Sequence, residues 1–158
     1  MKTLRLILGD QLNLSHSWFN QVNDDQLYLM AEMRQETDYV KHHVQKVVGF
    51  FSSMRNFANT LEDRGYNILY FKIGDRNNPQ NLPDLIKTTI SENNIEKFEY
   101  QLPDEYRLDV QLKEIGESIS IPTEVFDTEH FYTSRDELKN HFKGKKQLLM
   151  ESFYRMMR

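Results

Sequence analysis

Side chains able to bind a small polar ligand follow two apolar segments near the N-terminus. Gly9, Asp10 and Gln11 come after the first segment, and Glu32 and Met33 come after the second. If both segments are neighbouring parallel strands, these side chains meet at one edge of a sheet, where α/β proteins commonly hold ligands. The group combines carboxylates and an amide for hydrogen bonding with a thioether for apolar contact.

More candidates lie at and just before the start of the longest predicted helix, which we place at residues 38–63. They share polar or aromatic side chains: Glu36, Tyr39, His43 and Phe50. Tyr39, His43 and Phe50 fall on one helical face together with Lys46. We expect this face to form one wall of the pocket.

The residue types in this pocket favour a flat, polar and neutral heterocycle. Met33, Tyr39 and Phe50 can stack on a ring or contact it. The carboxylates of Asp10, Glu32 and Glu36 would repel a phosphate group. The alternative is that the local acidic residues balance the nearby basic ones and nothing is bound.

The sequence shows no arrangement typical of a catalyst, so we predict no catalytic residue. It has no G-x-G-x-x-G, no G-x-x-x-x-G-K-[ST] and no G-x-S-x-G motif, and no paired nucleophile and base stands out. It has no cysteine, which excludes disulfides, thiolate metal sites and a cysteine-held iron–sulfur cluster within these residues. We place His42 and His43 in the helix, where their rings point about 100° apart and cannot share a metal.

Composition indicates an ordinary globular protein. The chain has 158 residues, 39% hydrophobic and 28% charged, and a net charge of -4. It shows no membrane-spanning run and no signal peptide at the N-terminus, so we expect a cytoplasmic protein. The net charge indicates that the segment as a whole is not an electrostatic nucleic-acid binder.

Strands and helices alternate along the chain, which predicts a single α/β domain over residues 1–158. The predicted sheet is mostly parallel and five-stranded, with helices on both faces in three layers. The strands are expected at residues 4–8, 27–32, 66–73, 98–102 and 123–126. The helices are expected at residues 38–63, 82–93, 105–118 and 135–142, with a capping box at Ser134 and Glu137.

Five segments resemble the N-terminal region of the photolyase-related proteins, a family containing the iron–sulfur bacterial cryptochromes and photolyases. They are LRLILGDQL at 4–12, ETDYVKHHVQK at 36–46, SSMRNFANTLEDRGY at 52–66, PDEYRL at 103–108 and KQLLMESFYRMMR at 146–158. The segments extend over nearly the whole chain. The most distinctive are Y-V-x-H-H-x-x-K and the closing M-E-x-F-Y-R-x-M-R.

This resemblance implies a Rossmann-like antenna domain that holds a ribityl-lumazine chromophore for a light-driven DNA repair or light-sensing flavoprotein. It makes Glu36 and Tyr39 polar contacts of the lumazine, with Asp10, Gln11 and Met33 lining the pocket and His43 and Phe50 as further members. The family's FAD and four-cysteine iron–sulfur cluster belong to a C-terminal domain that this chain does not contain. We therefore expect the segment to be non-catalytic alone, although the family includes the DNA photolyases, which are lyases.

Other interpretations remain open from the sequence. The segment could be a nucleotide- or metabolite-binding module, or a structural domain with an empty pocket that braces a catalytic partner. The expected partners are the C-terminal catalytic domain and, through the full-length protein, DNA, with no membrane. If the full-length protein contains the missing half, the amphipathic tail at 148–157, within the segment 145–158, would lead into it. We favour a solvated helix end for its basic residues over a contact with DNA.

Overall fold

A computed structural model describes residues 1–38 and 40–158 of the chain. These residues form two compact units, Met1–Thr128 and Glu129–Arg158. Within the described residues, no helix has both the length and the apolar character needed to cross a membrane. The prediction of one α/β domain over 1–158 stays a prediction.

The first unit is built on a five-stranded sheet in which every pairing is parallel. The strands are β1 (Thr3–Leu6), β2 (Gln26–Ala31), β3 (Asn67–Phe71), β4 (Lys97–Gln101) and β5 (Thr123–Phe126). Their order is β3-β2-β1-β4-β5. In register, Leu4 lies between Leu27 of β2 and Phe98 of β4. This doubly wound order confirms the predicted Rossmann-like α/β fold.

Helices cover both faces of the sheet and give the predicted three layers. Helices α3 (Leu82–Glu92) and α4 (Tyr106–Ser118) pack on one face, where Leu6 and Leu29 are buried. Helix α2 (Val44–Asp63) and a short 3-10 helix (Ser17–Phe19) pack on the other face, where Tyr28 and Met30 are buried. The two cores separate because successive side chains of a strand point to opposite faces.

The long helix begins at Val44, so the predicted start at Asp38 is wrong. A separate short helix, α1 (Gln35–Asp38), comes before it. His43 has extended backbone angles, and its Nδ1 accepts a hydrogen bond from the Gln45 amide at 3.2 Å, which caps α2. His42 and His43 therefore precede the helix, and the predicted helical face through His43 does not form. The helix ends as predicted, before Gly65 with its positive φ.

The second unit contains α5 (Arg135–Phe142) and α6 (Met150–Met156). Phe153 is buried, with its ring 5.3 Å from that of His141 and 6.3 Å from that of Phe142. Helix α5 begins where predicted, but the Ser134 side chain makes no capping bond to the backbone. Ser134 Oγ instead lies 3.4 Å from the Glu137 carboxylate, so the capping box is incomplete.

Candidate functional site

The candidate site lies at the carboxyl edge of the sheet, where the strand order reverses. From β1 the chain adds β2 and β3 on one side, and it then crosses to add β4 and β5 on the other. Loops leaving the strands on either side of such a point diverge and leave a crevice between them, which is the usual ligand position in doubly wound folds.

Gly9 brings the loop after β1 into contact with α2. A Cβ atom at this position would lie 2.3 Å from Cζ of Phe50 and 2.9 Å from Sδ of Met54. These distances are too short for any side chain without displacement of the phenyl ring. The structure thus shows a close approach of the Phe50 ring to Gly9, and the predicted contact of Gly9 with a ligand stays a prediction.

Two small neighbouring cavities lie beside this contact, with volumes of about 20 Å³ and 110 Å³. Four predicted site residues line the smaller one, namely Gly9, Met33, Glu36 and Phe50. The larger is lined by Glu36, Thr37, His42, Lys46, Val47 and Phe50. Glu36 and Phe50 belong to both linings, so they stand between the two cavities.

Glu36 is half-buried, and its burial raises the pKa of its carboxyl group above the ordinary value. The Gln35 amide, 3.4 Å away, acts in the opposite direction, whereas the negative charges of Glu105 and Asp10 add to the increase. A carboxyl group with a raised pKa is protonated over a wider pH range and can then donate a hydrogen bond. Asp10 therefore acts on the site through its charge.

The far wall of the larger cavity carries positive charge. Lys46 Nζ lies 3.2 Å from His42 Nδ1, and both side chains face the cavity that Glu36 also lines. Lys46 was expected on the pocket wall because its four-residue spacing from Phe50 places both on one face of a helix, and both line this cavity. Thr37, His42 and Val47 were not among the predicted residues.

Gln11 joins the loop after β1 to the end of β4. Its Oε1 accepts the amide hydrogen of Leu8 at 3.0 Å, and its Nε2 donates to the carbonyl of Gln101 at 3.2 Å. The side chain is 2% exposed. Gln11 thus holds the crevice in shape, and its predicted contact with a ligand stays a prediction.

Glu32 is fully buried and holds several segments together at the end of β2. Its carboxylate accepts hydrogen bonds from Arg55 Nε at 2.6 Å, Arg55 Nη2 at 2.9 Å, the Tyr70 hydroxyl at 2.7 Å and the Ile73 amide at 2.9 Å. Burial alone would raise the pKa of Glu32, but these hydrogen bonds hold it below the ordinary value. Because the carboxylate accepts all of these hydrogen bonds, Glu32 has a structural role. Its predicted contact with a ligand stays a prediction.

His43 and Tyr39, two predicted ligand contacts, come shortly before the long helix in the sequence. His43 caps α2 through its Nδ1 and does not line either cavity, so the structure gives it a local role at the helix start. Tyr39 lies outside the described residues, and its predicted contact stays a prediction. The carboxyl edge of β1 and β2 therefore brings together Gly9, Met33, Glu36 and Phe50, with Asp10 close enough to act on Glu36.

Comparison with known proteins relates the chain to a family and to a relative. The family model described as "Deoxyribodipyrimidine photo-lyase-related protein" matches residues 5–158. The chain is also 33% identical over 159 aligned positions to a protein of Agrobacterium fabrum (strain C58 / ATCC 33970) named "(6-4) photolyase". That alignment covers 100% of this chain and 31% of the length of the relative.

Proposed function

Because the chain belongs to the deoxyribodipyrimidine photo-lyase-related protein family, we propose that it is the antenna-chromophore domain of a photolyase- or cryptochrome-like flavoprotein. The observation that carries the proposal is the pair of cavities beside the carboxyl ends of β1 and β2, with Glu36 and Phe50 lining both. When bound, such a chromophore absorbs light and passes the excitation to the flavin.

The chemistry of the lining suits a ribityl-lumazine. Glu36 offers a carboxyl group that can donate or accept a hydrogen bond, which suits the ring amides and hydroxyl groups of such a ligand. Met33 supplies apolar contact for a flat ring, and Phe50 borders both cavities. The expected polar contact from Tyr39 completes the set as part of this proposal.

We place the FAD and the iron–sulfur cluster of the family outside residues 1–158. The chain has no cysteine, so these residues do not supply the four thiolates that the cluster needs. The proposed role of this chain is therefore to bind and orient the antenna chromophore.

We further propose DNA as a partner of the full-length protein and, in place of the solvated helix end favoured from the sequence alone, a contribution of residues 129–158 to the contact. These residues contain seven Lys and Arg but only four Asp and Glu, whereas residues 1–128 contain 13 Lys and Arg and 20 Asp and Glu. The excess positive charge supports a contact with phosphate groups. Exposed Phe131, Tyr132 and Tyr154 add aromatic surface to the same unit.

A fluorescence titration with dimethyl-ribityl-lumazine tests the chromophore role. We expect saturable binding that Glu36→Ala weakens by about 1–3 kcal/mol, because a half-buried hydrogen bond to the ligand is lost. Glu117→Ala, at an exposed position on α4, is the matched control and should bind as the unmodified protein does. Equal affinity of the unmodified protein and Glu36→Ala would contradict this site, and an absence of lumazine binding would favour a bracing domain.

A further inference from the structure

The proposed site is too small for its ligand as the side chains stand. Typical ligand pockets have volumes of roughly 300–1,000 Å³, whereas the two cavities measure about 110 Å³ and 20 Å³. Some side chain must therefore move before a bicyclic ring can enter. The candidates are the two residues that line both cavities, Glu36 and Phe50.

Phe50 is the side chain best placed to move. It is half-buried, in contrast to its neighbour Phe51, which is 7% exposed and fixed in the core. The end of the Phe50 ring rests on the backbone of Gly9, which has no side chain to hold it, and the ring lies 5.7 Å from that of Phe51. Rotation about the side-chain torsions of Phe50 would carry the ring out without moving α2.

The place that the ring would vacate has the shape of a flat ring. One wall is the backbone of Gly9, and the thioether of Met54 lies close to the same point. Glu36 stands at the margin, where it can reach a polar ring edge. A planar heterocycle could lie against Gly9 as the phenyl ring now does, with sulfur–aromatic contact from Met54.

We propose that Phe50 is a movable partition between the two cavities, and that the extent of its movement determines which ring systems the site accepts. This inference rests on the proposed function, since it describes how that same site opens. When the ring leaves Gly9, the two cavities join into one. Ligand binding then competes with the contact between Phe50 and Gly9. The apparent affinity equals the intrinsic affinity multiplied by the fraction of time the ring is away from Gly9.

Stopped-flow fluorescence with dimethyl-ribityl-lumazine and with riboflavin, which has one more ring, tests the proposal on the protein at its natural full length. We expect Phe50→Ala to raise the lumazine association rate by about tenfold, because a site that is open one tenth of the time binds about tenfold more slowly. We expect riboflavin affinity to rise more than lumazine affinity, because the larger ring needs more of the vacated space. Phe50→Leu should give association rates and affinities between those of the unmodified protein and Phe50→Ala. It also provides a second variant in case Phe50→Ala does not fold.

The matched control is Phe131→Ala, which removes the same ring from a position that is 62% exposed and outside both cavities. It should leave both ligands unaffected. If the unmodified protein binds lumazine and neither Phe50 variant changes the rates or the preference between ligands, the partition is refuted while the chromophore role survives. If no variant binds either ligand, the proposed function is refuted and the partition with it.

Discussion

At the scale of single residues, the contact between Gly9 and Phe50 links the sheet to the long helix. The ring of Phe50 lies where any other residue at position 9 would place its Cβ atom. Because Gly9 has no side chain, the loop after β1 can approach α2 this closely. The two site cavities lie beside this contact, so their size depends on it.

Replacement of Gly9 by alanine should therefore destabilise the protein. The added methyl group meets the Phe50 ring at 2.3 Å, and we expect a loss of about 1–3 kcal/mol in the free energy of unfolding, measured by urea denaturation. The matched control is Gly49→Ala at an exposed helical position, where, among the described residues and apart from its chain neighbours and its own helix backbone, no atom lies within 4 Å of the Cβ position. That control should gain about 0.5–1 kcal/mol.

The double variant Gly9→Ala/Phe50→Ala separates the clash from other effects of the substitution. Because Phe50→Ala removes the ring that the new methyl group meets, Gly9→Ala should cost much less in that background. An unchanged cost would show that the Phe50 ring is not the cause.

At the scale of elements, the sequence was sufficient for the sheet and for most helix ends. All five strands lie within about two residues of their predicted positions, because short apolar runs and the turns between them mark parallel strands. The start of α2 was mispredicted, because residues 38–43 continue the polar and apolar pattern of the helix. The break depends on the His43 cap, which competes locally with helix continuation.

The candidate site, like the fold, could be predicted from the sequence only in part. Gly9 and Met33 could be found because they follow strand ends, and Glu36 and Phe50 because they belong to the helical segments that come after β2. The roles of Gln11 and Glu32 could not, because their partners lie far away in the sequence. Gln11 bonds to Gln101, and Glu32 bonds to Arg55 and Tyr70. Side-chain type alone does not say whether an amide or a carboxylate faces a ligand or another strand.

The loss of Glu32 should weaken the contacts among three elements, because its hydrogen bonds join the end of β2 to α2 and β3. Glu32→Ala should lower the free energy of unfolding by about 1–3 kcal/mol near neutral pH, because it leaves the Tyr70 hydroxyl and the Ile73 amide without their acceptor, whereas Arg55, with a side chain 47% exposed, can be solvated. The matched control, Glu62→Ala, removes an exposed carboxylate from α2 and should have little effect.

The pH dependence gives a second measure of the same prediction. The pKa of Glu32 is lower in the folded protein than its ordinary value, so its contribution is complete above that ordinary value. The contribution is lost as the pH falls through the lower, folded value. The stability difference between the unmodified protein and Glu32→Ala should therefore shrink in acid, and a difference that grew on acidification would contradict this sign.

At the scale of the whole molecule, charge divides between the two units. The acidic excess lies in residues 1–128, and the basic excess lies in residues 129–158. Lys145 is engaged by His141 and by the ring of Phe142, whereas Lys143, Lys146 and Arg158 extend into solvent. The net charge of -4 conceals this division, which explains why the overall composition argued against nucleic acid.

Charge reversal in the full-length protein tests whether this division serves DNA binding. The triple change Lys143→Glu, Lys146→Glu and Arg158→Glu should weaken binding to duplex DNA, measured by fluorescence anisotropy at several salt concentrations. The slope of log affinity against log salt should fall by up to about three, one for each lost phosphate contact.

The matched control carries the same charge change in the first unit, at the exposed residues Arg64, Lys87 and Lys113. If both triple variants lose affinity equally, the effect is one of net charge and the second unit has no special role.

Hydrogen exchange at the Leu8 amide reports on the bridge that Gln11 makes across the crevice. Gln11 Oε1 holds the Leu8 amide hydrogen, while the other end of the same side chain holds the carbonyl of Gln101 on β4. Solvent deuterium replaces that hydrogen only when the bridge opens, so its exchange rate reports how often the bridge opens. The Leu8 amide therefore records, with no ligand added, how often the loop after β1 separates from the end of β4.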